Sequence, residues 1–223
     1  MSFDREVLEL LDILGNSGIE IRDGAAGRLS ALAGLITRWN KAINLISRKD
    51  IGRLVSYHFA DSLSLLPIIR PQRGMRVLDI GGSNGLPGLA MSSVYPDINL
   101  LICDGRSKRA AFLEEACEAA GPGNGFEVGR IDDPGFVSRH AESFDLILAR
   151  AVTGLGLLLR WCLPLLEPGG VLVAYKGTRC RGEVRAARRY FFSHGGAVIS
   201  VMGSPLGERY NPLRKFAIAI KRT

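Results

Sequence analysis

The stretch Val77-Leu78-Asp79-Ile80-Gly81-Gly82-Ser83-Asn84-Gly85-Leu86-Pro87-Gly88 decides how the chain is read. A short apolar run ends on a carboxylate, breaks into glycines and opens a helical pattern, so it reads as strand, binding loop, helix. Glycines let the backbone turn sharply and approach a ligand, and the N-terminus of the following helix offers unpaired N–H groups to an anionic group. Such a loop at the carboxyl end of the first strand is where an open α/β sheet binds its small molecule. The dinucleotide fingerprint G-x-G-x-x-G fails, because counting from Gly81 puts Ser83 and Leu86 at the second and third glycine places. Taken alone, the loop also reads as a ligand-free turn rich in Gly and Asn.

Working outward, short β-type runs alternate with helical ones after the break at Arg70-Pro71-Gln72-Arg73-Gly74, the pattern of a parallel sheet with crossover helices. Strands are expected at 77–80, 98–104, 126–129, 144–149 and 171–176, with helices near 88–94, 107–120, 155–166 and 183–192. The runs 197–202 and 215–220, joined by a loop rich in Gly, Pro and Asn, suggest an antiparallel ending. Upstream the pattern is helical: Phe3, Val7, Leu10, Leu11 and Leu14, then Leu29, Leu32, Ile36, Trp39 and Ile43 over 25–44. A third helical region follows Asp50, read as its N-cap, through Leu54, Val55, His58 and Phe59 toward Leu66. The fold class is therefore α/β: a seven-strand, mostly parallel sheet over residues 71–223, with a helical region, residues 1–70, packed on it as part of one structural domain.

Bulk properties agree with a folded globular chain. Its 223 residues suffice for one good core, and 47% hydrophobic with 23% charged residues leaves no long polar segment to read as disordered. A net charge of +7 and a pI near 9.5 favour polyanionic partners such as nucleic acid. The cysteines Cys103, Cys117, Cys162 and Cys180 form no C-x-x-C pair and are expected to be reduced and free of metal. No basic start with an apolar run follows the N-terminus and no run approaches a membrane span, so a cytoplasmic protein is expected.

Three further positions carry chemistry. Asp104 ends the second strand about 25 residues after Asp79, close to the spacing at which an α/β nucleotide site sets an acid on ribose hydroxyls; the alternative is an acid capping the loop before Ser107. Asp132 after the third strand is placed to accept a bond from an adenine amino group while Ile131 packs on the ring, although Asp132-Asp133-Pro134 is also an ordinary turn. Arg150 follows the apolar run 146–149 and should emerge at the same sheet edge as Asp79 and Asp104. Lys176, Arg179, Arg181, Arg185, Arg188 and Arg189 form a basic cluster, read either as a phosphate-binding surface or as a solvated face.

Asp-x-Gly followed by a Gly-rich turn resembles the cofactor loop of class I S-adenosylmethionine-dependent methyltransferases. Trp39-Asn40-Lys41-x-x-Asn44-Leu45, His58-x-x-Asp61-Ser62, Gly85-Leu86-Pro87-Gly88, the stretch from Asp104 to Lys108-Arg109, Arg150-Ala151 and Lys176-Gly177 extend the likeness over essentially the whole chain. In that order they resemble the bacterial 16S ribosomal RNA guanine-N7 methyltransferase family, also called glucose-inhibited division protein B. The resemblance implies a Rossmann-like methyltransferase core, S-adenosylmethionine as cofactor, and methylation of a guanine in 16S ribosomal RNA or the small ribosomal subunit. It places Gly81, Leu86, Ile131, Asp132 and Arg150 on cofactor-binding positions, and Asp79, Gly85, Gly88 and Asp104 complete the expected cofactor set. Two residues depart from the family pattern: Ser83 stands at the third loop place, usually Gly, and Gly105 follows the strand-end acid where Ser is usual. A Cβ at Ser83 either weakens cofactor binding or is offset by the flexibility of Gly82.

Guanine N7 has a free lone pair, so no general base is required, and catalysis reduces to positioning. That suits a chain without a Cys/His or Ser/His/Asp set. Arg150 is expected at the base, the cofactor or both, and Asn40, Asn44 and His58 at the mouth of a pocket for a base swung out of structured RNA. Helix capping for the two asparagines and a core role for the histidine are the plainer readings. Lys176, Arg179, Arg181, Arg185 and Arg188 are the expected RNA contacts of a monomeric, metal-free enzyme. Two alternatives use the same residues: a diverged methyltransferase acting on another RNA or a small molecule, and a non-catalytic RNA-binding or assembly factor.

Overall fold

The computed structural model describes residues 3–82, 84–203 and 214–221. Ser83 and the loop expected between the last two strands lie outside the described residues. The described strands are β1 (Arg76–Ile80), β2 (Asn99–Asp104), β3 (Asn124–Val128), β4 (Phe144–Arg150), β5 (Leu166–Lys176), β6 (Gly196–Gly203) and β7 (Lys215–Lys221). They form one sheet in the order β3-β2-β1-β4-β5-β7-β6. The first five pair in parallel, and β7 runs antiparallel to both β5 and β6.

Side chains alternate across the sheet with the two-residue period of a strand. Val77, Leu100, Ile102, Leu146, Leu148 and Val173 enter one apolar cluster, while Leu78, Ile80, Cys103, Ile147, Ala149 and Leu172 enter the other. Both faces are therefore covered, as a parallel sheet requires. The helices are α1 (Asp4–Asn16), α2 (Ala25–Trp39), α3 (Ala60–Leu63), α4 (Gly88–Val94), α5 (Ala110–Ala120), α6 (Pro134–Arg139), α7 (Leu155–Cys162) and α8 (Cys180–Ser193). Helices α1 to α5 supply the first cluster and α6 to α8 the second. Val7, Leu10 and Leu14 of α1 and Leu29, Leu32 and Ile36 of α2 bury in the same cluster as the strands. The spacing of three and four residues is what sets these apolar groups on one helix face.

Several boundaries differ from the expected ones. Helix α2 stops at Trp39 instead of reaching 44, because the side-chain oxygen of Asn40 accepts hydrogen bonds from the N–H groups of Leu45 (2.8 Å) and Ile46 (2.9 Å) and folds the chain back. The third helical region is three short pieces: a 3-10 turn at Ile51–Arg53, a π-helical segment at Leu54–Phe59, and α3. Asp50 does not cap it; its carboxylate pairs with Arg53 instead. A short helix, α6, follows Asp132 where a turn was the plain reading, capped by Asp133, which accepts from Phe136 N–H at 3.0 Å.

Strand β5 starts at Leu166, ahead of the expected 171, and runs through Pro168-Gly169-Gly170. The register with β4 shifts between Phe144 and Leu146, and a Cβ on Gly170 would lie 2.9 Å from the Phe144 carbonyl oxygen. That irregularity explains why a break in pattern was legible where the strand continues.

Candidate active site

The parallel order sets the C-terminal ends of β2, β1 and β4 side by side, so Asp104, the loop after Asp79 and Arg150 share one edge. Asp79 lies beneath the loop and is fully buried. One carboxylate oxygen accepts the Gly88 N–H at 2.7 Å, at the start of α4, and the other has no hydrogen-bond partner. Burial pushes this carboxyl up to about 7, against the lowering effect of the Gly88 N–H and Arg150. Cβ atoms added at Gly82 and Gly88 would both fall 2.9 Å from Asp79, so these glycines are required by packing over the acid. Asp79 thus holds the loop from below rather than lining a pocket.

Gly81 and Gly85 are required for backbone reasons. Their φ values are +66° and +74°, and a Cβ at Gly85 would come within 2.3 Å of Leu89. Gly81 is exposed at the sheet edge, its N–H bound to the Cys103 carbonyl at 2.8 Å. Gly82, by contrast, is glycine for lack of space, so the flexibility it was expected to lend beside Ser83 is restricted by its packing on Asp79.

Asp104 is buried, with one oxygen accepting Arg106 N–H at 2.8 Å and the other 3.6 Å from the Arg109 guanidinium. The loop-capping contact is therefore present, and it leaves the second oxygen outside hydrogen-bond distance of Arg109. Ile131 is buried in the second cluster, while Asp132 is exposed and forms a two-bond pair with Arg130 (2.9 and 2.7 Å).

Across the edge, Arg150 meets residues brought from both ends of the chain. Its Nη1 lies 3.4 Å from Asp61 and 3.3 Å from the Ser62 hydroxyl. Arg214, just before β7, grips Asp61 through two bonds of 2.6 and 2.7 Å and donates to the Lys176 carbonyl at 3.0 Å. Tyr175, buried beside them, donates its hydroxyl to the Ser62 carbonyl at 2.7 Å. A buried carboxylate flanked by two guanidinium groups is the arrangement that makes its charge tolerable inside the protein. Asp61, Arg150, Arg214, Tyr57 and His58 line a pocket of about 460 Å³ together with Gly81, Asn84 and Leu86.

His58 presents a buried Nε2 without a partner, and its pKa is lowered by burial and then by Arg150. Asn40 and Asn44 do not line this pocket; Asn40 shapes the wall by holding Leu45 and Ile46, which do, and Asn44 is exposed. The sequence assigns no role to Asp61, Tyr175 or Arg214. Asp61 sits in the quoted His58-x-x-Asp61 motif, a carboxylate amid apolar neighbours, and that was the available signal.

The expected RNA-contacting residues divide. Lys176 is turned inward, donating to the Thr153 carbonyl (2.7 Å) and to Glu183 (2.8 Å), which also accepts Leu155 N–H at 2.9 Å. Arg179, Arg181, Arg185 and Arg188 are exposed at or on α8. Among the described residues no cluster of His, Cys, Asp or Glu could hold a metal ion, and no helix is long and apolar enough to cross a membrane.

This sheet order, with a glycine loop after β1 and acids at adjoining strand ends, defines a class I methyltransferase. The same fold occurs in the CurJ carbon methyltransferase (TM-score 0.55, 17% identity, 96% of this chain and 70% of that one). It occurs also in TrmN from Thermus thermophilus (TM-score 0.56, 26% identity, 74% and 49%). The model of the rRNA small subunit methyltransferase G family matches residues 26–210, and the chain belongs to that family of ribosomal RNA methyltransferases. Ribosomal RNA small subunit methyltransferase G of Moorella thermoacetica is 32% identical over 188 residues, covering 83% of this chain and 78% of that protein. Its counterpart in Symbiobacterium thermophilum is 34% identical over 194 residues, covering 84% and 79%.

Proposed function

We propose that this methyltransferase uses S-adenosylmethionine to methylate N7 of a guanine in 16S ribosomal RNA. The observation that carries the reading is the shared edge at which the Gly81 backbone, the Asp104 carboxylate and Arg150 lie at the ends of three adjacent strands. The donor set fits the cofactor. Asp104 keeps an oxygen for a ribose diol, Ile131 offers an apolar flank, Asp132 an acceptor at the adenine position, and the exposed Gly81 a backbone that a ligand can approach closely. Gly85, Leu86 and Gly88 shape that loop, and Asp79 holds it from below.

When bound, the cofactor supplies an electrophilic methyl on a sulfonium, which guanine N7 accepts through its own lone pair without losing a proton. The protein is left with positioning. Arg150, fixed by Asp61 and Ser62, and Arg214 set positive charge in the pocket wall beside the place for the base. Arginine suits the O6 edge of guanine, which adjoins N7. His58 lines the same pocket, and burial lowers its pKa, which favours the uncharged imidazole beside the two arginines. The exposed arginines of α8 favour the RNA backbone.

Calorimetric titration of S-adenosylmethionine, with S-adenosylhomocysteine as companion, tests the site. Saturable one-to-one binding lost in Asp104→Ala supports it; no binding of either ligand by the wild-type protein would sink the assignment of the cofactor.

A further inference from the structure

We propose that the groove between α7 and α8 receives an unpaired nucleotide of the RNA strand, next to the one that is methylated. The groove, about 860 Å³, is larger than the pocket at Arg150, and Ala151 lines both. The inference rests on the methylation reading for what occupies the neighbouring pocket. A strand whose target base enters beside Arg150 is led by that continuity across Ala151 into the groove.

Its chemistry suits a nucleotide. Leu155, Leu158 and Ala187 give it an apolar floor, and Arg160 and Arg179 set cations at its rim. The Arg160 guanidinium lies 4.9 Å from the centre of the Tyr190 ring, which holds that planar cation at the groove. Bases stack on arginine planes and aromatic rings, and arginine pairs with phosphate. The lining carboxylate, Glu183, is ion-paired with Lys176 and accepts the Leu155 N–H through the same oxygen, so a phosphate meets an acid whose charge is already countered. On α8, exposed Arg181, Arg185 and Arg188 continue the positive surface away from the groove. An apolar floor under a cationic rim favours a base with its phosphate over an acidic peptide, which would use the rim and leave the floor bare.

The full-length chain is tested without methyl donor, by fluorescence anisotropy with single-stranded RNA of about 12 nucleotides and with an abasic version carrying the same phosphates. Ala187→Phe fills the floor without changing charge; it is expected to weaken binding of the RNA about tenfold and to leave the abasic strand unchanged. Arg160→Glu, at an exposed position, is expected to weaken both strands, and more than Arg73→Glu at the opposite sheet edge. Wild-type protein that binds neither strand, Ala187→Phe that binds both like wild type, or equal losses from Arg160→Glu and Arg73→Glu would each overturn the groove assignment. Because binding is read without catalysis, a wild type that shows this pattern but never methylates RNA retains the groove and sinks the methylation reading. Methylation with RNA binding untouched in both groove variants does the reverse.

Discussion

The Asp79 carboxylate accepts the Gly88 N–H at 2.7 Å while lying wholly out of solvent. This bond ties the end of β1 to the start of α4 and arches the glycine loop over the acid. Its electrostatics give the first prediction. The folded-state pKa is raised to about 7 from an ordinary value of 3.8, so the folded state binds the proton more tightly. The stability this contributes is fully present below pH 3.8 and is lost as pH rises through about 7. Asp79→Asn keeps an acceptor for Gly88 and removes the charge. Thermal melts should therefore show the variant gaining on wild type between pH 5 and pH 8, by an amount on the order of a few kcal/mol; parallel melting curves across that range contradict the assignment.

Gly85 supplies a second test of the loop. With φ at +74° and a Cβ position 2.3 Å from Leu89, Gly85→Ala must both strain the backbone and displace a core leucine. A loss of at least about 1–2 kcal/mol in urea unfolding is expected, with weaker S-adenosylmethionine binding by calorimetry. Unchanged affinity and stability would show that the loop tolerates a different path.

Arg214 and Arg150 share Asp61, whose side chain is 2% exposed. Removing Arg214 takes away the two short bonds that Asp61 accepts from it and leaves Arg150 at 3.4 Å from the buried carboxylate. Arg214→Ala should cost about 3 kcal/mol of stability and lower methyl transfer. Arg214→Lys should restore only part of either, because an ammonium does not reproduce the two-bond fork. Full recovery in the lysine variant would mean that charge alone matters.

Glu183 tests the loop after β4. Hydrogen bonds from Lys176 and Leu155 hold its carboxyl below the ordinary range even though burial works the other way. Glu183→Gln weakens the grip on Lys176 and on the start of α7, and about 1–2 kcal/mol of stability should be lost. Methyl transfer should fall more than cofactor affinity, since residues 151–154 adjoin Arg150. Equal falls in both would place the effect on the cofactor side.

These tests separate what was readable from the chain alone and what was not. The strand, glycine loop and helix around Asp79, and the strand ends at Asp104 and Arg150, were legible because each depends on local order along the sequence. The partnership of Asp61 with Arg214 spans 153 residues and leaves no local trace; only the folded sheet, with β7 inserted next to β5, brings them together. Lys176 looked like an RNA contact because it begins a basic run, yet its neighbours in space are Glu183 and Thr153, so the charge is spent inside the fold. Asn40 stands out in the sequence through the Trp39-Asn40-Lys41 motif, inside a helical pattern that runs to 44. Its use in folding the chain back toward the pocket depends on Leu45 and Ile46 reaching it, which periodicity does not report.

The central claim is the atom that receives the methyl. Purified protein should be incubated with S-adenosylmethionine and unmodified 16S ribosomal RNA, as naked RNA and as small subunits, and the digested nucleosides analysed by mass spectrometry. The account predicts 7-methylguanosine formed only when protein and methyl donor are both present, and lost in Asp104→Ala. Methyl found on any other atom, or no methylated nucleoside from either substrate despite saturable cofactor binding, would contradict it.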